Sequence, residues 1–331
     1  MTDTASENQN PLVSIIVITY NSAKYVLETL ESAKAQTYQN IELIVTDDCS
    51  TDNTIEICRN WLAENNQRFV QTKLITVEQN TGIPANCNRG LYAAKGEWIK
   101  YIAGDDILMP DCIKSFVAVA KSQPDVFFFT CGMYSMKNEI ITEEIYADPT
   151  LLKHNADEQF KWLATFFWLI PAPTTFMKKN VLIELHGFDE NYKSVEDFPL
   201  YIKITASGYR FHFIEKLLII YRMHEESISR KNGGIFLSES LQLYYDNIFL
   251  PLLHLKKLFF LRRHYLLYKK LINAASKWER YRISWWMRLT DPYIWLLKYH
   301  KIFHHRAPFQ TARQKQITPI HKIDCLGNSL L

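Results

Sequence analysis

Four strand-like runs, each breaking into a polar turn ahead of a helical stretch, limit what this chain can fold into. Residues 13–20 read V-S-I-I-V-I-T-Y, residues 41–46 I-E-L-I-V-T, and residues 98–103 W-I-K-Y-I-A. Near-continuous apolar, β-branched runs of this length suit strands buried on both faces of a parallel sheet. Residues 70–77 alternate more and read as a further strand, third in order. Between the strands, Asn21 and Ser22 offer caps for a helix to about Gln36, with Tyr25, Val26, Leu27 and Leu30 as its apolar face. The polar turn 47–54 caps a second helix from Ile55 to about Asn65, and Asn80-Thr81-Gly82-Ile83-Pro84 leads into a third that stops at Gly96. The order β-α-β-α-β-α-β predicts a doubly wound, nucleotide-binding half.

The last of these strands ends in Gly104-Asp105-Asp106. Ligands of open α/β sheets sit beyond the carboxyl ends of the strands. Two carboxylates placed there carry a desolvation cost that a cation, donors or water must offset. Magnesium or manganese holding a diphosphate is an economical partner, because hard cations need few protein oxygens and leave other positions to phosphate and water. The alternative is a solvated Asp-Asp turn ahead of a helix opened by Pro110. No G-x-G-x-x-G follows the first strand, which argues against a dinucleotide cofactor, and no G-x-x-x-x-G-K-[ST] occurs, which removes the P-loop hydrolases. A nucleotide would have to be gripped by carboxylates and a metal.

Downstream, a helix is expected from Pro110 to about Ser122 and a long strand over residues 126–136. Residues 137–176, with the bulky run 162–170 and then Pro171-Ala172-Pro173-Thr174-Thr175, read as a helix and loop covering the open edge of the site. A helix over 179–185, a turn at 186–190, a helix begun by Glu196-Asp197 and ending at Ala206, and a last strand over 211–223 running into His224 complete the pattern.

An apolar share of 47% supports a full core. Six cysteines without a C-x-x-C pair fit a reducing compartment and argue against a zinc site. The first ten residues are polar, so a disordered leader without a signal peptide is expected, and no apolar run reaches the roughly 18 residues of a spanning helix. The net charge of +3 conceals an asymmetry: residues 251–331 hold 16 Lys and Arg against 3 Asp and Glu, and the rest 22 against 32.

Residues 13–21, Gln36-Thr37-Tyr38, residues 42–54 (E-L-I-V-T-D-D-C-S-T-D-N-T) and residues 80–96 together resemble family 2 glycosyltransferases. Gly104-Asp105-Asp106, Gly187-Phe188-Asp189-Glu190, Glu196-Asp197 and Tyr221-Arg222-Met223-His224 extend the resemblance, in the family's order, over residues 11–230. The resemblance implies a GT-A fold, a Rossmann-like, mostly parallel mixed sheet flanked by helices, with a nucleotide-sugar donor (UDP-linked in our expectation), a divalent metal (Mn2+ or Mg2+) and inversion at the anomeric carbon. It implies that Thr19, Tyr20 and Asn21 border the nucleotide, that Asp48 accepts from the base while Asp47 orients the turn, and that Gly82 lets backbone approach. Asp105 and Asp106 then correspond to the ribose and metal carboxylates, with Asp106 the first choice for the cation. His224 would be a further ligand of the metal or diphosphate, Asp197 the base, and Glu196 the residue positioning the acceptor. Arg222 is a candidate phosphate contact, and Trp168 with the loop 171–175 a candidate surface for stacking on the acceptor sugar. Each has a plainer alternative: a helix cap for Asp47, Asp48, Glu196 and Asp197, a turn glycine for Gly82, a structural imidazole for His224, a surface ion pair for Arg222. The chain departs from the family pattern at Ala103, where an Asp is frequent, and at Asn86-Cys87-Asn88, where an Arg is frequent, unless Arg89 substitutes.

The expected organisation is a leader (1–10), a catalytic domain (11–235, with a nucleotide half 11–106 and an acceptor half 107–235) and a basic, aromatic helical extension (236–331). In the extension Lys256, Arg263 and Lys270 recur every seven residues, and Trp285, Trp286 and Trp295 add interfacial aromatics. Such a surface suits an anionic membrane and a lipid-linked glycan acceptor, placing the protein in the cytoplasm at the inner face of the plasma membrane, though a helical cap on the catalytic domain would read the same way. No nucleic-acid-binding fold is evident. Two rivals stand beside a surface-glycan transferase: a catalytically silent nucleotide-sugar-binding scaffold, and a metal-dependent nucleotidyl or phosphosugar transferase.

Overall fold

The first strand of the computed structural model, β1 (Val13–Thr19), is completely buried at Val13, Ile15, Ile16 and Val17. The structure describes residues 10–147, 151–165 and 170–224. Parallel to β1 lie β2 (Ile41–Asp47) on one side and β4 (Trp98–Ala103) on the other, and β3 (Thr72–Thr76) pairs parallel with β2. Helices α1 (Val26–Lys34), α2 (Thr54–Asn65) and α3 (Ile83–Ala93) make the crossovers. This half follows the sequence pattern closely.

The helix expected from Asn21 begins instead at Val26, because Asn21 takes a left-handed φ of 52° and residues 22–25 form a turn closed on the Ser22 carbonyl. Leu27, expected on the apolar face, is 50% exposed; Val26, Leu30 and Ala33 carry the contact with the core.

Beyond β4 the sheet turns antiparallel. A two-residue strand β5 (Ile107–Leu108) precedes α4 (Cys112–Ser122), and β6 (Phe128–Lys137) runs straight into β7 (Ile140–Ile145) as a hairpin. The expectation of only helix and loop over residues 137–176 is therefore corrected: β7 and β8 (Thr175–Lys178) flank α5 (Ala156–Thr165). Their formation follows from edges that needed partners, since β8 closes the gap between β4 and β6. Then come α6 (Lys179–Glu184), α7 (Asp197–Ala206) and β9 (Phe211–Met223), which pairs parallel with β6 and antiparallel with β5. The order is β3-β2-β1-β4-β8-β6-β9-β5, with β7 on β6.

The main core lies where β1, β2, β4 and β8 meet α1, α2 and α4. Phe176 stacks on Phe116 at 4.8 Å and on Trp98 at 5.1 Å between ring centroids. Each such fully buried ring contributes roughly 1.5–3 kcal/mol. Lys100, at the centre of β4 with no exposed surface, gives its ammonium to the carbonyls of Tyr101, Pro173 and Thr175, so a buried charge ties β4 to the segment leading into β8. Residues 1–9 of the expected leader, Trp168, and the extension 236–331 lie outside the described residues. Among the described residues no helix is long and apolar enough to cross a membrane.

Candidate active site

The carboxyl ends of β1, β2 and β4 are held side by side by bonds that outlast the strands: Asp48 N–H donates to the Thr19 carbonyl at 3.1 Å and Gly104 N–H to the Ile18 carbonyl at 2.8 Å. Thr19 is buried, its hydroxyl donating to Asp47 Oδ2 at 2.7 Å, and it carries the wall rather than the surface of the site. Tyr20 is 42% exposed. Asn21 is exposed too, and its Oδ1 accepts from Thr51 N–H at 2.8 Å while its own N–H donates to Ser50 Oγ at 2.7 Å. That locks the turn after β1 onto the polar turn after β2.

The two carboxylates of that second turn divide the work. Asp47 is wholly buried and accepts from Ser50 N–H and Oγ, organising the turn. Asp48 is clasped by Thr81 N–H and Oγ1, Gly82 N–H at 2.8 Å and Arg89 Nη2 at 2.6 Å. Burial works against its charge, but these donors win and hold the carboxyl below its ordinary range. A nucleobase N–H reaching Asp48 would displace one of them. Arg89 thus pairs with Asp48, and its Nε is buried without a partner among the described residues. Gly82 has φ +98°, and a Cβ there would come 2.8 Å from the Lys193 carbonyl oxygen, so only glycine admits this approach.

The Asp105–Asp106 turn is gripped from three directions. Thr29 Oγ1 of α1 donates to the Asp106 carbonyl at 2.7 Å, and the short β5 pairs the next two residues with β9. From β9, Arg222 N–H donates to Asp106 Oδ1 at 2.9 Å and Arg222 Nε to the Asp105 carbonyl at 3.1 Å. Asp106 is 2% exposed, and burial together with the neighbouring Asp105 pushes its carboxyl well above the usual range. Its Oδ2 takes no hydrogen bond from the described residues. Asp105, with 27% of its side chain exposed, meets His224 Nε2 through Oδ2 at 2.9 Å. His224 Nδ1 is buried without a partner among the described residues, and the ring packs 4.8 Å from that of Tyr25.

Arg222, read from sequence as a phosphate contact or a surface ion pair, is instead buried, with 3% of its side chain exposed. It pairs with Glu28 at 2.5 Å and with Glu139. The Arg222 guanidinium, with the buried Lys100 ammonium also near enough to act on Asp106, therefore serves a neighbourhood containing Glu28, Asp105, Asp106 and Glu139. Such an excess of carboxylate, with an uncommitted oxygen on Asp106 and an imidazole–carboxylate contact beside it, has the oxygen and nitrogen donors that magnesium or manganese takes. Among the described residues no three Asp, Glu, His or Cys side chains are already gathered as a metal cluster. A cation would have few protein ligands and take the rest from phosphate and water.

Glu196 and Asp197 open α7. Glu196 makes no side-chain cap bond, and Asp197 Oδ1 accepts from Phe198 N–H at 2.7 Å. Burial, and Asp197 beside it, push the Glu196 carboxyl up; burial does the same to Asp197, against the Phe198 N–H. Burial raises the thiol of Cys87 on α3, and both carboxylates and Asp48 lie close enough to raise it further. The loop before them is fastened to α3 by Asn88, whose Nδ2 donates to the Phe188 carbonyl and Glu190 Oε1, and whose Oδ1 accepts from Phe188 N–H. Asn88 and the Arg222 network were not identified from sequence. The i, i+2 spacing of Arg222 and His224 on one strand face was the available signal for the latter.

The family model described as "Glycosyl transferase family 2" matches residues 14–185. An uncharacterized glycosyltransferase of Rickettsia felis is 29% identical over 223 residues, an alignment spanning 67% of this chain but only 36% of that protein. The Escherichia coli protein named UDP-Glc:alpha-D-GlcNAc-diphosphoundecaprenol beta-1,3-glucosyltransferase WfaP is 26% identical over 220 residues, covering 66% of this chain and 80% of WfaP. The crystal structure of S. aureus TarS 1-349 in complex with UDP-GlcNAc superposes with a TM-score of 0.56 at 23% identity, over 70% of this chain and 65% of TarS 1-349. Mannosyltransferase PcManGT from Pyrobaculum calidifontis, solved with GDP-Man and Mn2+, gives a TM-score of 0.52 at 20% identity, over 91% of this chain and 83% of PcManGT. The two superpositions speak to the fold, which is the expected GT-A arrangement.

Proposed function

Since this chain belongs to glycosyl transferase family 2, we propose that it is an inverting, metal-dependent glycosyltransferase moving a sugar from a nucleotide donor, UDP-linked in our reading, to a hydroxyl of a lipid-linked cell-surface glycan. The observation that carries the reading is the Asp105–Asp106 turn, under-supplied with positive charge and set with His224 at the carboxyl end of β4. We assign the donor diphosphate to this edge, with Tyr20, Asn21, Asp48 and Gly82 bordering the nucleoside. Asp106 through Oδ2, Asp105 and His224 are the groups that would hold the cation. When bound, such a cation supplies Lewis acidity, neutralising charge that grows on the departing diphosphate.

The other half of the reaction belongs to α7. In this reading the Asp197 carboxylate takes the proton of the acceptor hydroxyl as its oxygen attacks the anomeric carbon, and the bond to the diphosphate breaks on the opposite face, inverting the centre. A carboxyl raised toward neutrality by burial is a stronger base than a solvated one, which suits this task. Glu196, higher still, orients the acceptor. WfaP's name supports a UDP-sugar donor and a lipid-linked acceptor, and TarS with UDP-GlcNAc supports the donor class. The basic extension, by composition, supports attachment to an anionic membrane surface.

A panel of nucleotide sugars, each assayed for slow hydrolysis with and without Mn2+, tests the proposal. Hydrolysis of at least one sugar nucleotide that EDTA abolishes is expected. Donor binding without hydrolysis or transfer would instead favour a silent scaffold. Phosphosugar or nucleotide transfer products would favour the rival transferase class.

A further inference from the structure

Arg222 touches every part of the charged turn. Its backbone N–H meets Asp106 Oδ1 at 2.9 Å and its Nε meets the Asp105 carbonyl at 3.1 Å. Its guanidinium lies 4.7 Å from the centre of the Tyr25 ring, which packs at 4.8 Å against His224. The two remaining nitrogens reach outward, Nη2 to Glu28 on α1 at 2.5 Å and Nη1 to Glu139. Glu139 sits at the tip of the β6–β7 hairpin with φ 61°, next to Asn138 with φ 49°. That conformation costs a non-glycine residue energy that the surroundings must repay. An ion pair with a buried guanidinium is one such repayment.

We propose that Arg222 is the positioning residue of the cation site, fixing Asp105, Asp106 and His224 relative to one another by anchoring them to α1 and to the hairpin. This rests on the reading of that turn as the cation site. Arg222 is no ligand: a guanidinium has no lone pair to offer. Its fork geometry is what serves here: Glu28, Glu139 and the Asp105 carbonyl are each met by a different nitrogen of the planar guanidinium, a spread that the single nitrogen of a lysine does not reproduce.

The test is Mn2+ binding to the full chain in the presence of UDP, followed by the electron paramagnetic resonance signal of free Mn2+, with thermal unfolding recorded beside it. Arg222→Lys is expected to weaken Mn2+ binding about 10-fold or more, as changes to groups that orient metal ligands do, without a matching loss of cooperative unfolding. Glu139→Gln, which leaves Arg222 in place but loosens it from the hairpin, should weaken binding roughly threefold, the low end of what an ordinary hydrogen bond contributes, as suits a partner largely open to solvent. Mn2+ affinity of Arg222→Lys within about twofold of the unaltered chain, a difference well under 1.4 kcal/mol, overturns the inference. Should Arg222→Lys fail to fold, unchanged affinity in Glu139→Gln overturns it by itself. Asp106→Ala separates the two levels of the argument. Normal Mn2+ binding in that variant removes the cation reading itself, whereas its loss together with normal binding in Arg222→Lys removes only the role of Arg222.

Discussion

Glu196 and Asp197 show two opposing effects within a single turn of helix. The amino end of α7 favours their negative charge by about 0.3–1 kcal/mol. A pKa change of a single unit is worth about 1.4 kcal/mol, and both carboxyls lie above the ordinary range, so burial outweighs the helix end. In the proposed role of base, Asp197 would work only when ionised. Its activity should therefore fall as pH drops through about 6, where burial has placed its carboxyl, and a profile of kcat against pH would show this limb. Asp197→Asn should lower kcat by roughly 10²–10⁴-fold, the usual worth of a general base. Glu196 bears on stability with the opposite sign. The folded chain holds its proton more tightly than the unfolded chain does, so stability present at low pH is lost as pH rises through about 8. Melting curves of Glu196→Gln should exceed those of the unaltered chain at about pH 9 and match them at about pH 4. These acidic pairs were legible in the sequence because they interrupt apolar runs at strand and helix ends. The partners that set their charge were not: Arg222 lies 116 positions from Asp106 along the chain, and Arg89 lies 41 from Asp48.

Among the elements, the parallel half could be read directly because each of its strands carries its own signal. Residues 13–19, 41–47 and 98–103 carry apolar side chains on both faces, broken by a few polar ones such as Glu42 and Lys100, and only a doubly covered sheet accepts that. β8 has four residues and β5 two, too short for any periodicity; they exist because β4, β6 and β9 present edges to them. β7 mixes isoleucines with Thr142, Glu143 and Glu144, buries none of its residues fully, and is held by its hairpin to β6. The fastening of the loop before α7 was invisible for a different reason: Asn88 reads as an ordinary helix residue until the Gly187–Phe188 turn is brought against it. Asn88→Ala would leave the Phe188 N–H and carbonyl unpaired in a buried setting. It should cost about 1–3 kcal/mol in chemical denaturation and raise the KM for acceptor more than that for donor, since it loosens the α7 side of the site.

Across the whole molecule, charge is partitioned. The first 250 residues hold 22 basic against 32 acidic side chains, and the last 81 hold 16 against 3. If the basic extension meets an anionic bilayer, co-sedimentation of the full chain with phosphatidylserine vesicles should fall steeply between about 0.1 and 0.5 M salt as screening shortens to well under 10 Å. Salt-independent attachment would point to apolar insertion by its tryptophans. The catalytic account itself asks for two charged stations on the described fold. One would be the Asp105–Asp106 turn and His224, holding the cation beside a leaving diphosphate; the other would be the α7 carboxylate proposed to receive a proton. Anomalous scattering from crystals soaked with Mn2+ and UDP-GlcNAc tests this most directly. The account predicts a manganese peak within bonding distance of Asp106 Oδ2 or the Asp105–His224 pair and of diphosphate oxygens, with the sugar's anomeric carbon facing Asp197. A diphosphate bound with no manganese beside it, or one seated away from those aspartates, would contradict it.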